Sequence, residues 1–165
     1  MPDLPRSASG AISAGLFKRV LVKGEAANIA VPPSIDFVDP AADVPQEFVR
    51  FVGAWGPGQL AGSPDDIIIA VTSIDAMGNA RLLLMRGPSC SNPGCGTPRQ
   101  SAVLQLPAKM ENGHLSFTSP FNRYRVALEI GQDGRLHGTT ISRGNKASAV
   151  QLPLIGCMRC EARVL

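Results

Sequence analysis

Between Phe51 and Ile155 apolar residues recur with a period of two, and the runs are parted by Gly78-Asn79, Asn112-Gly113, Asp133-Gly134 and Gly144-Asn145. Such dipeptides supply the positive φ that tight hairpin turns demand. A period of two sets alternate side chains on opposite faces of an extended strand. The pattern predicts strands over 51–56, 66–74, 79–87, 101–110, 114–119, 123–130, 135–142 and 146–155, eight in all. No helical pattern separates them, so consecutive strands are expected side by side and antiparallel, which excludes a parallel α/β sheet. The expected fold is all-β, an antiparallel up-and-down eight-strand barrel with an N-terminal extension. Closure removes exposed strand edges, and eight strands enclose a space that side chains fill or that holds one small ligand.

The barrel segment opens on Phe51-Val52-Gly53-Ala54-Trp55-Gly56. This Gly-x-Trp at the mouth of the first strand resembles the opening of the calycin barrels (lipocalins, fatty-acid-binding proteins, avidins), and of calycin-like domains of bacterial proteins. The resemblance covers about residues 51–155. It implies that Trp55 closes one end of the barrel, with Arg159 or Arg163 within reach to stack on it. The chain departs from the family by a cysteine-containing insertion at 88–100 and by lacking a second lipocalin motif in its middle. Alternation sets Tyr124, Val126, Leu128 and Ile130 on one face against Arg125, Ala127 and Glu129. Leu115 with Phe117, and Val150 with Leu152 and Leu154, continue the inward face, and Glu129 is expected to pair with Arg125.

Strands 66–74 and 79–87 are apolar on both faces, so their outer side is expected to be covered by the N-terminal segment or by a partner chain. Residues 1–47 form a Pro/Ala-rich N-terminal extension, and residues 48–165 form the barrel domain. Ile12, Leu16, Phe17, Val20 and Leu21 fall at helical spacing, while 17–22 reads equally as a strand, so the extension is expected to hold one short helix or strand. The segment at 45–49 suits one helical turn leading into the Gly-x-Trp strand.

The four cysteines come as two close pairs, Cys90 with Cys95 and Cys157 with Cys160. In an exported protein an even count reads as disulfides, paired locally or crosswise. In the cytosol the same pairs read as the two knuckles of a four-thiolate zinc site. The expectation is disulfides, no bound metal and a periplasmic or secreted location, with a cytoplasmic one if the cysteines bind zinc. A redox role for Cys157-x-x-Cys160 requires a helix N-terminus to lower the thiol pKa, and no helix is expected there.

The sequence offers little catalytic chemistry. His114 follows a turn, and His137 is out of phase with Leu136 and so points outward. Asp65 and Asp66 adjoin at a strand start, where solvated turn carboxylates are common. There is no Gly-x-Ser-x-Gly, His-Glu-x-x-His or P-loop. The Gly56 to Gly62 run looks like a nucleotide fingerprint but has the wrong last spacing and no following helix, and is expected to be a loop. Net charge is +3, but the basic residues are scattered and few aromatics accompany them, so nucleic acid is not an expected partner. No apolar run approaches the roughly 18 residues of a membrane span. Met1-Pro2-Asp3 does not open a signal peptide.

Two functions follow. One is a non-enzymatic binding domain, without cofactor, whose interior is lined by Trp55, Phe117, Tyr124, Val126 and Leu128 and takes one small apolar ligand. The other is a filled-barrel interaction module, part of a larger chain or a homo-oligomer, meeting its partner through the 66–87 hairpin. An enzyme of unknown reaction is a third.

Overall fold

The computed structural model describes residues 6–59, 66–87, 102–119, 125–141 and 147–161. Its strands are β1 (Gly53–Gln59), β2 (Asp66–Ile74), β3 (Asn79–Arg86), β4 (Ala102–Glu111), β5 (His114–Thr118), β6 (Arg125–Ile130), β7 (Leu136–Ile141), β8 (Ala147–Leu152) and β9 (Leu154–Cys157). Helices are α1 (Arg6–Ala26), α2 (Gln46–Val49) and α3 (Met158–Glu161). All described pairings are antiparallel, in the order β8-β7-β6-β5-β4-β3-β2-β1-β9.

The ninth strand comes from a division of the expected eighth. Pro153 parts β8, which pairs with β7, from β9, which pairs with β1. A proline nitrogen donates nothing to a ladder, so one run changes partner at that residue. Its carbonyl still accepts from the Gly56 N–H at 2.8 Å. One continuous run thus touches both ends of the sheet and nearly closes it into a barrel. The first strand also differs from expectation, starting at Gly53 and running on to Gln59 through a bulge between Trp55 and Gly58. Gly56 to Gln59, part of the expected loop, is therefore strand, and the rest of that run lies outside the described residues.

Turn chemistry sets the register. Asn112 and Gly113, with φ of 52° and 80°, form a two-residue hairpin between paired Glu111 and His114. At Asp75 the carboxylate accepts the N–H groups of Met77 and Asn79, both at 2.9 Å, and orders the turn into β3. Asp133 plays the same part before β7, accepting from the Arg135 N–H at 3.0 Å. The Gly144-Asn145 turn lies outside the described residues.

From this register the inward face is read strand by strand. Trp55 pairs with Ile69, Ile69 with Leu84, and Leu84 with Leu104. Met110 pairs with Leu115, Leu115 with Leu128, and Leu136 with Leu152. These side chains belong to a single hydrophobic cluster, and most of them are buried.

The outward faces of β2 and β3 are buried as well, at Ile68, Ala70 and Met85. The N-terminal segment borders this part of the sheet, with the Asn28 carbonyl beside Gly87 at the end of β3. α1 packs against β1, β9 and α3, and the Val38 N–H donates to the Thr72 carbonyl at 2.8 Å. Ser13 Oγ, from α1, accepts the Phe37 N–H at 3.0 Å. At the hairpin tip Met77 is 76% exposed.

The helix is longer than the one short element expected, running 21 residues. Ser13, Leu16 and Val20 are its buried stripe, three and four residues apart as one helical face requires. Asn28, at φ 57°, ends it: its N–H reaches the Glu25 carbonyl while the Ile29 N–H reaches that of Gly24. That pair of bonds is a Schellman cap with asparagine in the left-handed position, and buried Ile29 is its apolar follower.

Candidate functional site

At one end of the barrel α2, β1, the β6–β7 turn, β9 and α3 surround a cavity of about 300 Å³. Its wall includes Trp55, Ile130, Leu154 and the Cys157–Cys160 pair, and its polar lining is Gln46, Arg50 and Arg159. Local sequence explains the gathering. α2 is a single turn that ends at Val49, which buries its side chain and leaves the following Arg50 exposed. The chain then enters β1, and Trp55 turns inward two positions after Gly53. The Gly53 position itself lies so close to β9 that a Cβ would stand 2.4 Å from the Gly156 carbonyl oxygen.

Trp55 is 1% exposed, and its indole Nε1 has no hydrogen-bond partner among the described residues. A buried donor without an acceptor is uncommon and costs on the order of 1–3 kcal/mol. Arg159 is engaged otherwise. Its Nε lies 3.0 Å from Asp39 Oδ1, and its Nη2 donates to Asp39 Oδ2 at 3.3 Å and to the Pro40 carbonyl at 3.2 Å. Neither Nε nor Oδ1 finds an aligned hydrogen bond, so that closest contact is Coulombic. Arg159 therefore shares the cavity with Trp55 while its charge is met by Asp39. For Arg50 no partner is found among the described residues.

Cys157 and Cys160 stand at disulfide distance, their Cα atoms 5.1 Å apart. Contrary to expectation a helix does begin there, α3, four residues long. The Cys160 N–H reaches Cys157 Sγ at 2.9 Å. Cys90 and Cys95 lie outside the described residues.

The expected ligand-binding residues separate in space. Trp55 lines the end cavity. Val126 and Leu128 are inward and fully packed, Phe117 is inward and borders a different, more open cavity of about 450 Å³ over β4 and β5, and Tyr124 lies outside the described residues. Leu154, expected inward, is 43% exposed because it follows the change of partner at Pro153. Arg50 was not singled out by sequence reasoning. Nothing in its neighbourhood marks it, since its position depends on a turn meeting a barrel end.

The remaining polar candidates are turn and surface groups. Arg125 pairs with Glu111 instead of Glu129. Residues four apart on a strand share a face but lie about 13 Å apart, whereas cross-strand neighbours touch. Glu129 faces His114 at 3.5 Å. His137 Nε2 lies 2.9 Å from Asp133 Oδ1, and that hydrogen bond, followed by the Arg135 N–H, holds the Asp133 carboxyl below its ordinary pKa. No cluster of three or more His, Cys, Asp or Glu groups suited to a metal occurs among the described residues. None of the described helices is long and apolar enough to cross a membrane. Comparison with known proteins gives no match to a family model, to a curated protein or to a solved structure.

Proposed function

We propose that this protein is a non-enzymatic, calycin-like binding barrel whose ligand site is the cavity at the Trp55 end. The reading rests on one observation: the barrel's one tryptophan is a wall of a concave, mainly apolar space at the barrel end. Mouths of β-barrels are common places for small-molecule sites. The interior beyond is filled by Leu82, Leu84, Leu115, Leu128, Leu136 and Leu152, all buried. The ligand is therefore placed at the mouth and not along the barrel axis. The cysteine pair at disulfide distance suits an oxidising compartment, and we place the protein's work in the periplasm or outside the cell.

The test is a fluorescence titration of Trp55 with the neutral apolar probe N-phenyl-1-naphthylamine. Saturable one-site quenching is expected, and it should be lost in Leu154→Tyr, which fills the mouth. Absence of saturable binding to the wild type, or binding indifferent to Leu154→Tyr, would remove the proposal. The second reading, an interaction module, is favoured by Val38 and Met77, 56% and 76% exposed beside a shared surface groove. It predicts concentration-dependent association in sedimentation that Met77→Ser weakens.

A further inference from the structure

We infer that the Cys157–Cys160 pair is an exchangeable disulfide, a two-electron redox site that reacts with a dithiol, Cys160 being the sulfur attacked and Cys157 the sulfur that leaves. Such exchange is independent of what the neighbouring cavity binds. The two residues differ in access. Cys157 is 1% exposed and pairs with Gly53 of β1, whereas Cys160, three positions on, is exposed. An incoming thiolate therefore meets Cys160. The sulfur that departs as a thiolate is then Cys157, and the Cys160 N–H already reaches it, with N to Sγ at 2.9 Å. That donor matters because burial alone holds a thiol neutral, whereas a hydrogen bond to the charged form favours it. A stabilised leaving thiolate speeds exchange.

The bond is not what holds the turn. Met158, between the cysteines, is fully buried, and its N–H donates to the Val52 carbonyl at 2.9 Å. Arg159, the other intervening residue, is tied to Asp39 and to the Pro40 carbonyl. These contacts keep the two Cα atoms 5.1 Å apart, inside the span a disulfide needs, with the bond open or closed. A ring closed between residues only three apart also restrains the unfolded chain less than a longer loop would. Sulfurs placed by the fold and joined by a bond that adds little to it are suited to opening and closing. In the step, one thiolate of the dithiol attacks Cys160 Sγ, the bond between the two Sγ atoms breaks, and Cys157 takes the electron pair. The second thiolate then attacks the dithiol's own sulfur in the mixed disulfide and releases Cys160. The dithiol ends as a disulfide, and its two electrons and, through water, its two protons end on the cysteine pair. Small dithiols and reduced proteins share this chemistry.

Arg159 lets trypsin part the two cysteines: cleavage after Lys146, Arg159 and Arg163 gives peptides 147–159 and 160–163, while Cys90 and Cys95 leave in 87–99. The native full chain is held in dithiothreitol redox buffers, quenched with acid, alkylated, digested and read by mass spectrometry. The pair is expected to open and close reversibly with the buffer, and to open about tenfold faster in the native chain than in the same chain unfolded in urea. With glutathione, a monothiol, the mixed disulfide should sit on 160–163 and not on 147–159. Reduced, unfolded ribonuclease A offers protein thiols: opening faster than by dithiothreitol at equal thiol assigns the source to a protein, and slower opening to a small dithiol. A pair that opens no faster in the native chain than in urea, or glutathione found on Cys157, would overturn the site. So would a fold that depends on the bond. Cys157→Ser combined with Cys160→Ser should keep the far-ultraviolet spectrum and melt within a few degrees of the wild type, and an unfolded double variant would make the disulfide structural.

Discussion

Gly53 carries a closure that no other residue type can. A Cβ there would meet the Gly156 carbonyl oxygen at 2.4 Å and the Cys157 Cα at 2.7 Å, both backbone-bound and unable to swing aside. Gly53→Ala should therefore part β1 from β9 and cost about 3 kcal/mol, the upper end for overpacking, read as a shifted denaturation midpoint with an unchanged slope. Trp55→Ala, a large-to-small change at a buried inward position, should cost about 3–5 kcal/mol. Loss of binding at near-native stability would instead make Trp55 a ligand contact alone. Asp133 bears on pH. Because its carboxyl titrates below the ordinary value in the folded chain, its contribution is present above the unfolded pKa and is lost as pH falls through the lowered one. The gap in thermal midpoint between wild type and Asp133→Asn should thus narrow only on the acid side of the carboxylate range. A gap constant through that range would contradict the pairing with His137. Of these residues, Gly53 and Trp55 could be singled out from the sequence by their motif. The Asp133–His137 contact could not, because it needs the turn to fold back and bring residue 133 onto the face of residue 137.

Elements were legible in proportion to how local their cause is. The strands from β2 to β7 match their expected ranges within two residues at each end, since alternation and turn dipeptides act within a few positions. The prolines at 32, 33, 40 and 45 hide α1, since they give the whole extension the composition of a linker. The interval from Arg6 to Val31 holds no proline and is rich in Ala, Leu, Lys and Arg, all good helix formers. The division at Pro153 is hidden for the opposite reason: period two runs through it, and only the closing of the sheet gives its two halves different partners. Since α1 covers apolar strand faces, its worth is mostly packing. Leu16→Ala, at 1% exposure, should cost about 2–5 kcal/mol, whereas Val22→Ala on the same helix, at 63%, should stay within about 0.5 kcal/mol. Equal effects in urea melts would mean that the helix does not dock by this face.

Protection across the whole molecule should be uneven, because the barrel's cover and its pairing are uneven in the same direction. β2 is flanked by β1 and β3, and β3 by β2 and β4, and the inward and outward faces of both strands are largely buried. Water reaches their amides only when the barrel opens as a unit. β4 is different. Its residues 102–109 pair with β3, but on its other side the described pairing to β5 covers only Lys109 to Glu111. Among the described residues the first half of β4 therefore has one ladder where its neighbours have two, and Val103, Gln105 and Pro107 are exposed. Local opening needs less free energy where fewer buried contacts and ladder bonds must break. Native-state hydrogen exchange should show the amides of Ile68, Ala70, Leu82 and Leu84 exchanging last, at the free energy of global unfolding, about 5–15 kcal/mol for a domain of ordinary stability. Amides of 102–106 that do not face β3 should exchange orders of magnitude sooner, through an opening insensitive to low denaturant. If β4 were as protected as β3, its free edge would have to be paired by some other part of the chain. If β2 were the first to exchange, the burial of Ile68, Ala70 and Met85 would not persist in solution.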